Sequence, residues 1–95
     1  MKLYGTKICT DCVHAFEVME RNKIMYEYID MTETTANLKE FLKLRDNREE
    51  FDEVKRNGHI GIPCFYFTDD VILFDIDEAI KKSAVIQHSS ELPPY

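Results

Sequence analysis

The pattern of apolar and polar positions along the chain predicts four short strands and four helices. Short segments rich in β-branched and aromatic residues predict the strands Lys2–Tyr4, Ile24–Met31, Cys64–Phe67 and Val71–Phe74. Apolar residues that recur every three or four positions predict helices that begin at Asp11, at Thr34 or Thr35, near Asn47, and at Asp75 or Asp77. The order is therefore β-α-β-α-α-β-β-α, which indicates an α/β domain.

The ends of the predicted helices carry recognisable signals. The first helix runs to Arg21 and the second to Leu44. Asn47, followed by Glu50 three positions later, resembles a capping box that would open the third helix. Gly58 suits the left-handed position just beyond the end of that helix.

The connections between the predicted strands define the topology. A β-α-β start requires a parallel, right-handed pair, whereas the polar residues 68–70 predict a hairpin between the last two strands. We therefore expect a four-stranded mixed sheet flanked by helices on both faces. Residues 1–95 form one predicted domain, in which residues 89–95, with Pro93 and Pro94, are expected to be a flexible tail.

Composition and charge narrow the class of protein. The 95-residue chain has a net charge of -6, which argues against nucleic acid or an anionic membrane as a partner. The apolar runs are too short to span a bilayer, and no signal peptide is visible. We therefore expect a cytoplasmic protein, monomeric, with soluble protein partners. In a reducing cytosol, paired cysteines are more often catalytic or metal-binding than structural.

The motif Cys9-Thr10-Asp11-Cys12 places two thiols at the turn from the first strand into the first helix. Thiolates are the nucleophiles of disulfide exchange, and a helix N-terminus stabilises an anion. We predict that Cys9 attacks a disulfide and that Cys12, on the apolar face of the helix, resolves the intermediate. Lys7 would add positive charge near Cys9, whereas the Asp11 carboxylate would oppose thiolate formation.

The spacing of the two cysteines is also compatible with a metal site, which is the alternative. A closed tetrahedral zinc site needs two ligands beyond one CxxC pair, and a second CxxC is absent from the chain. The rival hypothesis is a metal or iron–sulfur module that uses Cys9, Cys12 and Cys64. The redox hypothesis assigns no metal ligands and needs no tightly bound cofactor, because the two cysteines themselves store the electrons.

The chain resembles the glutaredoxins of the thioredoxin superfamily over about residues 1–88. The likeness rests on Cys9-Thr10-Asp11-Cys12 after Tyr4-Gly5, on Tyr28-Ile29-Asp30, and on Ile62-Pro63 before an aromatic strand. It implies a thioredoxin-like fold and reduction of protein disulfides or mixed disulfides, with glutathione or a thioredoxin reductase as reductant. It also implies that Pro63 is cis and that the Ile62 backbone contacts the substrate. The residues alone do not distinguish a cis from a trans proline at this position.

The resemblance and the motif together give a set of expected substrate-binding residues: Ile62, Pro63, Thr10, Lys7 and Asp77. Asp77 matches the acidic residue that the family carries at its last helix, with Asp75 as the alternative. The chain departs from the family pattern at Thr6, which stands where a lysine is common, and at Leu73-Phe74, which stand where a glycine pair approaches glutathione. Glutathione is therefore expected only as a possible co-substrate.

Four further residues are candidates for a role in the site. Asp30 could be a buried proton acceptor or could simply end a strand, and His59 could tune the Cys9 thiolate. Cys64 could be a third redox thiol or a small strand residue. Among the basic residues between 45 and 56, Arg56 was the best candidate for a contact with a substrate or partner.

Overall fold

A computed structural model describes residues 1–91 of the chain, with side chains described as far as residue 84. The strands are β1 (Lys2–Gly5), β2 (Glu27–Asp30), β3 (Cys64–Tyr66) and β4 (Ile72–Leu73). The helices are α1 (Thr10–Arg21), α2 (Thr35–Asn47), α3 (Asp52–Arg56) and α4 (Ile76–Glu91), and a 3₁₀ turn at Glu49–Phe51 precedes α3. This order of strands and helices confirms the predicted one.

The four strands form one mixed sheet in the order β2-β1-β3-β4. β1 and β2 are parallel, with Gly5 beside Asp30, whereas β3 is antiparallel to both β1 and β4, with Tyr4 beside Cys64. The predicted four-stranded mixed sheet is therefore confirmed, and its central strand β1 leads directly into the Cys9–Cys12 motif.

Alternating residues of the central strands face two separate hydrophobic clusters, one on each side of the sheet. The α1 side contains Leu3, Ala15, Met19, Ile24, Phe65, Phe67 and Ala79. The α2 side contains Tyr4, Ile29, Met31, Phe41, Phe51, Cys64 and Ile72. Because α1 and α4 supply the first cluster and α2 supplies the second, helices cover both faces, as expected.

The second strand is shorter than predicted because the end of α1 occupies its first residues. Lys23 has a φ of 54°, and its N–H bonds to Glu20 O at 3.1 Å. The N–H of Ile24 bonds to Met19 O at 3.0 Å. These two bonds form a Schellman motif, so Ile24 packs as part of the helix end instead of opening a strand.

The predicted capping box at Asn47 is wrong. Thr34 caps α2, accepting a hydrogen bond from Asn37 N–H, and the helix runs past Leu44 to include Asn47. The Asn47 amide instead donates to Lys43 O within the helix. The acidic side chains beyond the helix pair with Arg48 instead.

The Arg48 guanidinium ties the 3₁₀ turn to the β3–β4 hairpin. Its Nη2 lies 2.7 Å from Glu50 Oε2, and its Nη1 lies 2.9 Å from Asp70 Oδ1. Tyr66 donates its hydroxyl hydrogen to the same Asp70 oxygen. Glu50 therefore pairs with a cation, which explains why it caps no helix.

The last helix begins after Asp75, whose side chain accepts a hydrogen bond from Glu78 N–H. Asp75, and not Asp77, is therefore its cap. The helix continues to Glu91, so Ser89–Glu91 are helical where a tail was predicted. Residues 92–95, with Pro93 and Pro94, lie outside the described residues. Within residues 1–91, no helix is long and apolar enough to cross a membrane.

Candidate functional site

Cys9 lies at the N-cap of α1, between the sheet and the helix. Its backbone is extended, and its Sγ accepts a hydrogen bond from Cys12 N–H at 3.4 Å. The side chain is half-buried, so the sulfur remains accessible. A helix N-terminus presents unpaired N–H groups and a partial positive charge. The Cys9 sulfur therefore lies at the end of α1 where these N–H groups are presented.

Cys12 lies one turn into α1 and is fully buried against β1. A Cβ atom built at Gly5 would lie 2.9 Å from Cys12 Sγ, so the absence of a side chain at Gly5 makes room for the sulfur. Burial raises the pKa of Cys12 to about 12, the neighbouring Cys9 and Asp11 act in the same direction, and the backbone of Thr6 opposes them. Cys12 is therefore held as a neutral thiol.

A loop of residues 57–63 faces Cys9 and leads into β3. Gly58 has a φ of 73° and is the predicted glycine beyond the end of α3. Gly61 has a φ of 97°, and a Cβ atom there would lie 2.9 Å from the Phe51 ring. Only glycine fits that position, because both the backbone conformation and the space exclude a side chain. The Ile62–Pro63 peptide bond is cis, as the resemblance implies.

Arg45 of α2 fixes the same loop from behind. Its Nε donates to Ile60 O and its Nη2 donates to His59 O, both at 2.9 Å. A guanidinium presents donors in a rigid planar fork, so two adjacent carbonyl groups are held in one orientation. The loop is thereby attached to α2.

A groove of about 630 Å³ separates Cys9 from this loop. The described residues that line it are Thr6, Ile8, Cys9, Asp11, Val54, Gly58, His59, Ile60, Gly61, Ile62 and Phe74. The Phe74 ring packs edge-on against Phe51, with centroids 4.9 Å apart, and so extends the apolar wall. The thiol and the loop therefore share one concave, largely apolar surface.

A chain of hydroxyl groups supports the turn between β1 and α1. Thr32 donates to Asp30 Oδ1 from its hydroxyl at 2.6 Å and from its N–H at 2.9 Å. Since its one hydroxyl hydrogen is used there, Thr6 donates to Thr32 Oγ1 at 2.9 Å, and Thr6 Oγ1 accepts from Ile8 N–H. The Thr32 bonds hold the pKa of Asp30 below its usual range. Asp30 therefore anchors the turn that ends its strand.

The structure brings together some of the predicted site residues and separates others. Ile62 lines the groove, and Pro63 is buried directly after it. Within residues 1–91, neither the N–H nor the C=O of Ile62 forms a backbone–backbone hydrogen bond. Thr10, Lys7 and Asp77 are exposed and lie outside the groove lining.

Cys64 lies on the opposite face of the sheet from Cys12. It is fully buried in the α2-side cluster, and burial raises its pKa to about 12. In the part of the chain that the structure describes, no three His, Cys, Asp or Glu side chains are grouped closely enough to hold a metal ion.

Several groove residues escaped prediction because their signals were weak. Ile8 and Ile60 are apolar residues next to a motif and in a loop, and nothing in the sequence marks them as exposed. Arg45 belongs to the basic stretch of residues 45–56, in which Arg56 was the favoured residue, and Arg56 is exposed and lies outside the groove lining. Val54 is partly buried against the α2-side cluster and also lines the groove.

Comparison with known proteins adds one relative. No family model matches the chain, and no solved structure matches it. A protein of Haemophilus influenzae, described as uncharacterized, is 29% identical over 76 residues, which cover 80% of this chain and 88% of that protein. The chain is thus similar, over most of its length, to a protein whose description names no activity.

Proposed function

We propose that the protein is a glutaredoxin-like dithiol–disulfide oxidoreductase with a thioredoxin-like fold. The observation that carries this proposal is the position of the two thiols. An accessible Cys9 sulfur accepts a hydrogen bond at a helix N-terminus, and a buried Cys12 lies one turn behind it. The groove beside Cys9, with Ile62 on its opposite wall, adds a surface for a disulfide substrate.

The reaction transfers two electrons from the dithiol to the substrate. The Cys9 thiolate attacks one sulfur of the substrate disulfide, and the other substrate sulfur leaves as a thiolate that takes up a proton. Cys12 then loses its proton and attacks Cys9 Sγ, which releases the second substrate thiol. The substrate ends as two thiols, and the protein ends with a Cys9–Cys12 disulfide.

An external thiol or flavoprotein must return the electrons. Glutathione and a thioredoxin reductase are the two reductants that the resemblance implies, and the reducing cytosol is the compartment in which such a cycle runs. The two-electron transfer needs no further cofactor, since both electrons reside on Cys9 and Cys12.

Intact-mass spectrometry after equilibration in a glutathione redox series, with thiols trapped by alkylation, tests the proposal. We expect a reversible loss of two hydrogens with a midpoint of roughly -200 to -300 mV. The Cys12→Ser variant should accumulate a mixed disulfide on Cys9, whereas Cys64→Ser, a matched change at a buried thiol outside the motif, should behave as the wild type.

The rival hypothesis predicts a different mass spectrum. A metal or iron–sulfur module would carry added mass or colour and would protect Cys9 and Cys12 from alkylation. That result, or a dithiol that never forms a disulfide at any potential in the series, would contradict the proposed function. No contact in the described part of the chain favours the rival, since Cys64 faces the other side of the sheet.

A further inference from the structure

The rim of the groove exposes large apolar side chains on both sides of the Cys9 thiol. Ile8, which immediately precedes Cys9, is 85% exposed, and Ile60 on the opposite loop is 55% exposed. Isolated exposed apolar residues are common, but here both line one groove together with Ile62 and Phe74. A contiguous apolar surface of this kind marks a site for an apolar ligand or partner segment.

The described lining of the groove contains one acidic residue. Among its described lining residues, Asp11 is the only carboxylate, and lysine and arginine are absent. Lys7 lies outside the lining, and Arg45 also lies outside it, with its donors directed to the carbonyl groups of His59 and Ile60. A substrate that binds here therefore meets apolar surface and one negative charge beside the reactive sulfur.

We propose that this groove selects disulfides in extended protein segments that carry an apolar residue next to the cysteine and a basic residue within reach of Asp11. This inference rests on the proposed function and specifies its substrate class. The apolar residue would pack between Ile8 and Ile60, and the basic side chain would pair with the Asp11 carboxylate.

The backbone of the loop supplies the remaining contact. The N–H and C=O of Ile62 form no backbone–backbone hydrogen bond within residues 1–91, and Ile62 lines the groove together with Cys9. An extended segment can satisfy both groups with its own main chain, independently of its sequence. Specificity is then left to the side chains, for which the groove offers apolar packing and the charge of Asp11.

The same arrangement disfavours small anionic disulfides. Each half of oxidised glutathione carries two carboxylates and one ammonium group, so the molecule is anionic, and the described groove lining offers its carboxylates no lysine or arginine. A carboxylate near Asp11 is repelled, and rim charges of this kind act mainly on selectivity and on the rate of association. Glutathione disulfide should therefore be a poorer substrate than an apolar, basic peptide disulfide.

Symmetric peptide disulfides provide the probe. Two disulfide-linked homodimers of a short capped peptide, each with Leu beside Cys, would differ only in a Lys or a Glu two residues from the Cys. Because both sulfurs are equivalent, the site of attack is the same in each. Rates are measured at about pH 8, where histidine side chains are generally uncharged. Dithiothreitol regenerates the dithiol of the protein, and oxidised glutathione is measured as a third substrate.

The ratio of kcat/KM for the Lys dimer to that for the Glu dimer is the decisive quantity. We expect a ratio of about fivefold in the wild type, the size of one exposed ion pair gained and one repulsion avoided. The ratio should fall towards one in Asp11→Asn and invert in Asp11→Lys. Any general effect of the substitution on Cys9 cancels, because the same thiol attacks both substrates.

Two further variants complete the test. Glu17→Lys makes the same charge change on an exposed position of the same helix, outside the groove, and should leave the ratio unchanged. Ile8→Ser should slow both peptides by about tenfold relative to wild type. Equal rates for the Lys and Glu dimers, or a preference unaffected by Asp11→Lys, would overturn this inference alone. Failure to reduce any disulfide would instead overturn the proposed function.

Discussion

At the scale of single residues, the site depends on one missing side chain. Cys12 Sγ lies where a Cβ atom of residue 5 would be 2.9 Å away, so Gly5 permits the thiol to sit directly on the sheet. No motif identifies this requirement, because Gly5 reads in the sequence as the end of a strand. The contact links the burial of Cys12 to the backbone of β1.

Gly5→Ala should expel Cys12 from its buried position. We expect a loss of stability of about 1–3 kcal/mol from overpacking, measured by urea unfolding. We also expect faster alkylation of Cys12 by iodoacetamide, measured in a Cys9→Ser background so that only Cys12 reports. Ala79→Val is the matched control, since it overpacks the α1-side cluster from α4 and should lower stability without exposing the thiol. If both variants leave Cys12 equally protected, Gly5 does not govern its burial.

At the scale of elements, α2 and the loop of residues 57–63 act together through Arg45. The guanidinium holds the carbonyl groups of His59 and Ile60, and Gly61 rests on the Phe51 ring. The loop forms one wall of the groove, so in the proposed reaction its position would decide how a disulfide substrate meets Cys9.

Arg45→Gln should therefore raise KM for a peptide disulfide about threefold to tenfold, since hydrogen bonds to a charged group contribute about 1.5–3 kcal/mol and water replaces part of this. The alkylation rate of Cys9 with iodoacetamide should stay the same, because the thiol itself is untouched. Arg56→Gln removes the same charge from an exposed position near the loop and serves as the control. Equal changes in KM in both variants would indicate a general charge effect instead of a positioning role.

The same elements show how far the sequence could be used to predict the structure. Apolar periodicity predicted the order of all strands and helices, because each must bury one face. Local signals failed where a side-chain hydrogen bond that no sequence pattern encodes decides the outcome. Asn47 and Glu50 satisfied the capping-box pattern, yet Glu50 pairs with Arg48. The role of Arg45 likewise depends on residues fourteen and fifteen positions away.

Across the whole molecule, the sheet separates two buried thiols. Cys12 lies on the α1 side against Gly5, whereas Cys64 lies on the α2 side in the cluster with Tyr4 and Phe41. The Ile62–Pro63 segment leads from the groove into this second core, so Cys64 is close to the site in sequence but faces away from it. Its sequence position alone could not show this, because a strand residue can face either side of the sheet.

The burial of Cys64 predicts how stability depends on pH. Its pKa is raised to about 12 in the folded protein, whereas an unfolded cysteine has a pKa of about 8.5. Both states are protonated below about pH 8.5, so the stabilisation is fully present there. Above that pH the unfolded state loses its proton first, and stability falls as the pH rises towards the folded value.

Cys64→Ala isolates this contribution. Urea unfolding in the presence of a phosphine reductant, between about pH 9 and pH 10, should give a free energy that falls more steeply with pH in the wild type than in the variant. The expected difference in slope is about 1.2 kcal/mol per pH unit, slightly below the value for one proton because the unfolded cysteine is not yet fully deprotonated at pH 9. The loss of Cys64 packing lowers the free energy of unfolding of the variant by the same amount at every pH. Only the slope of that free energy against pH therefore reports the ionisation of Cys64. Equal slopes would mean that Cys64 ionises as readily in the fold as in the unfolded chain, and that its side of the core admits water.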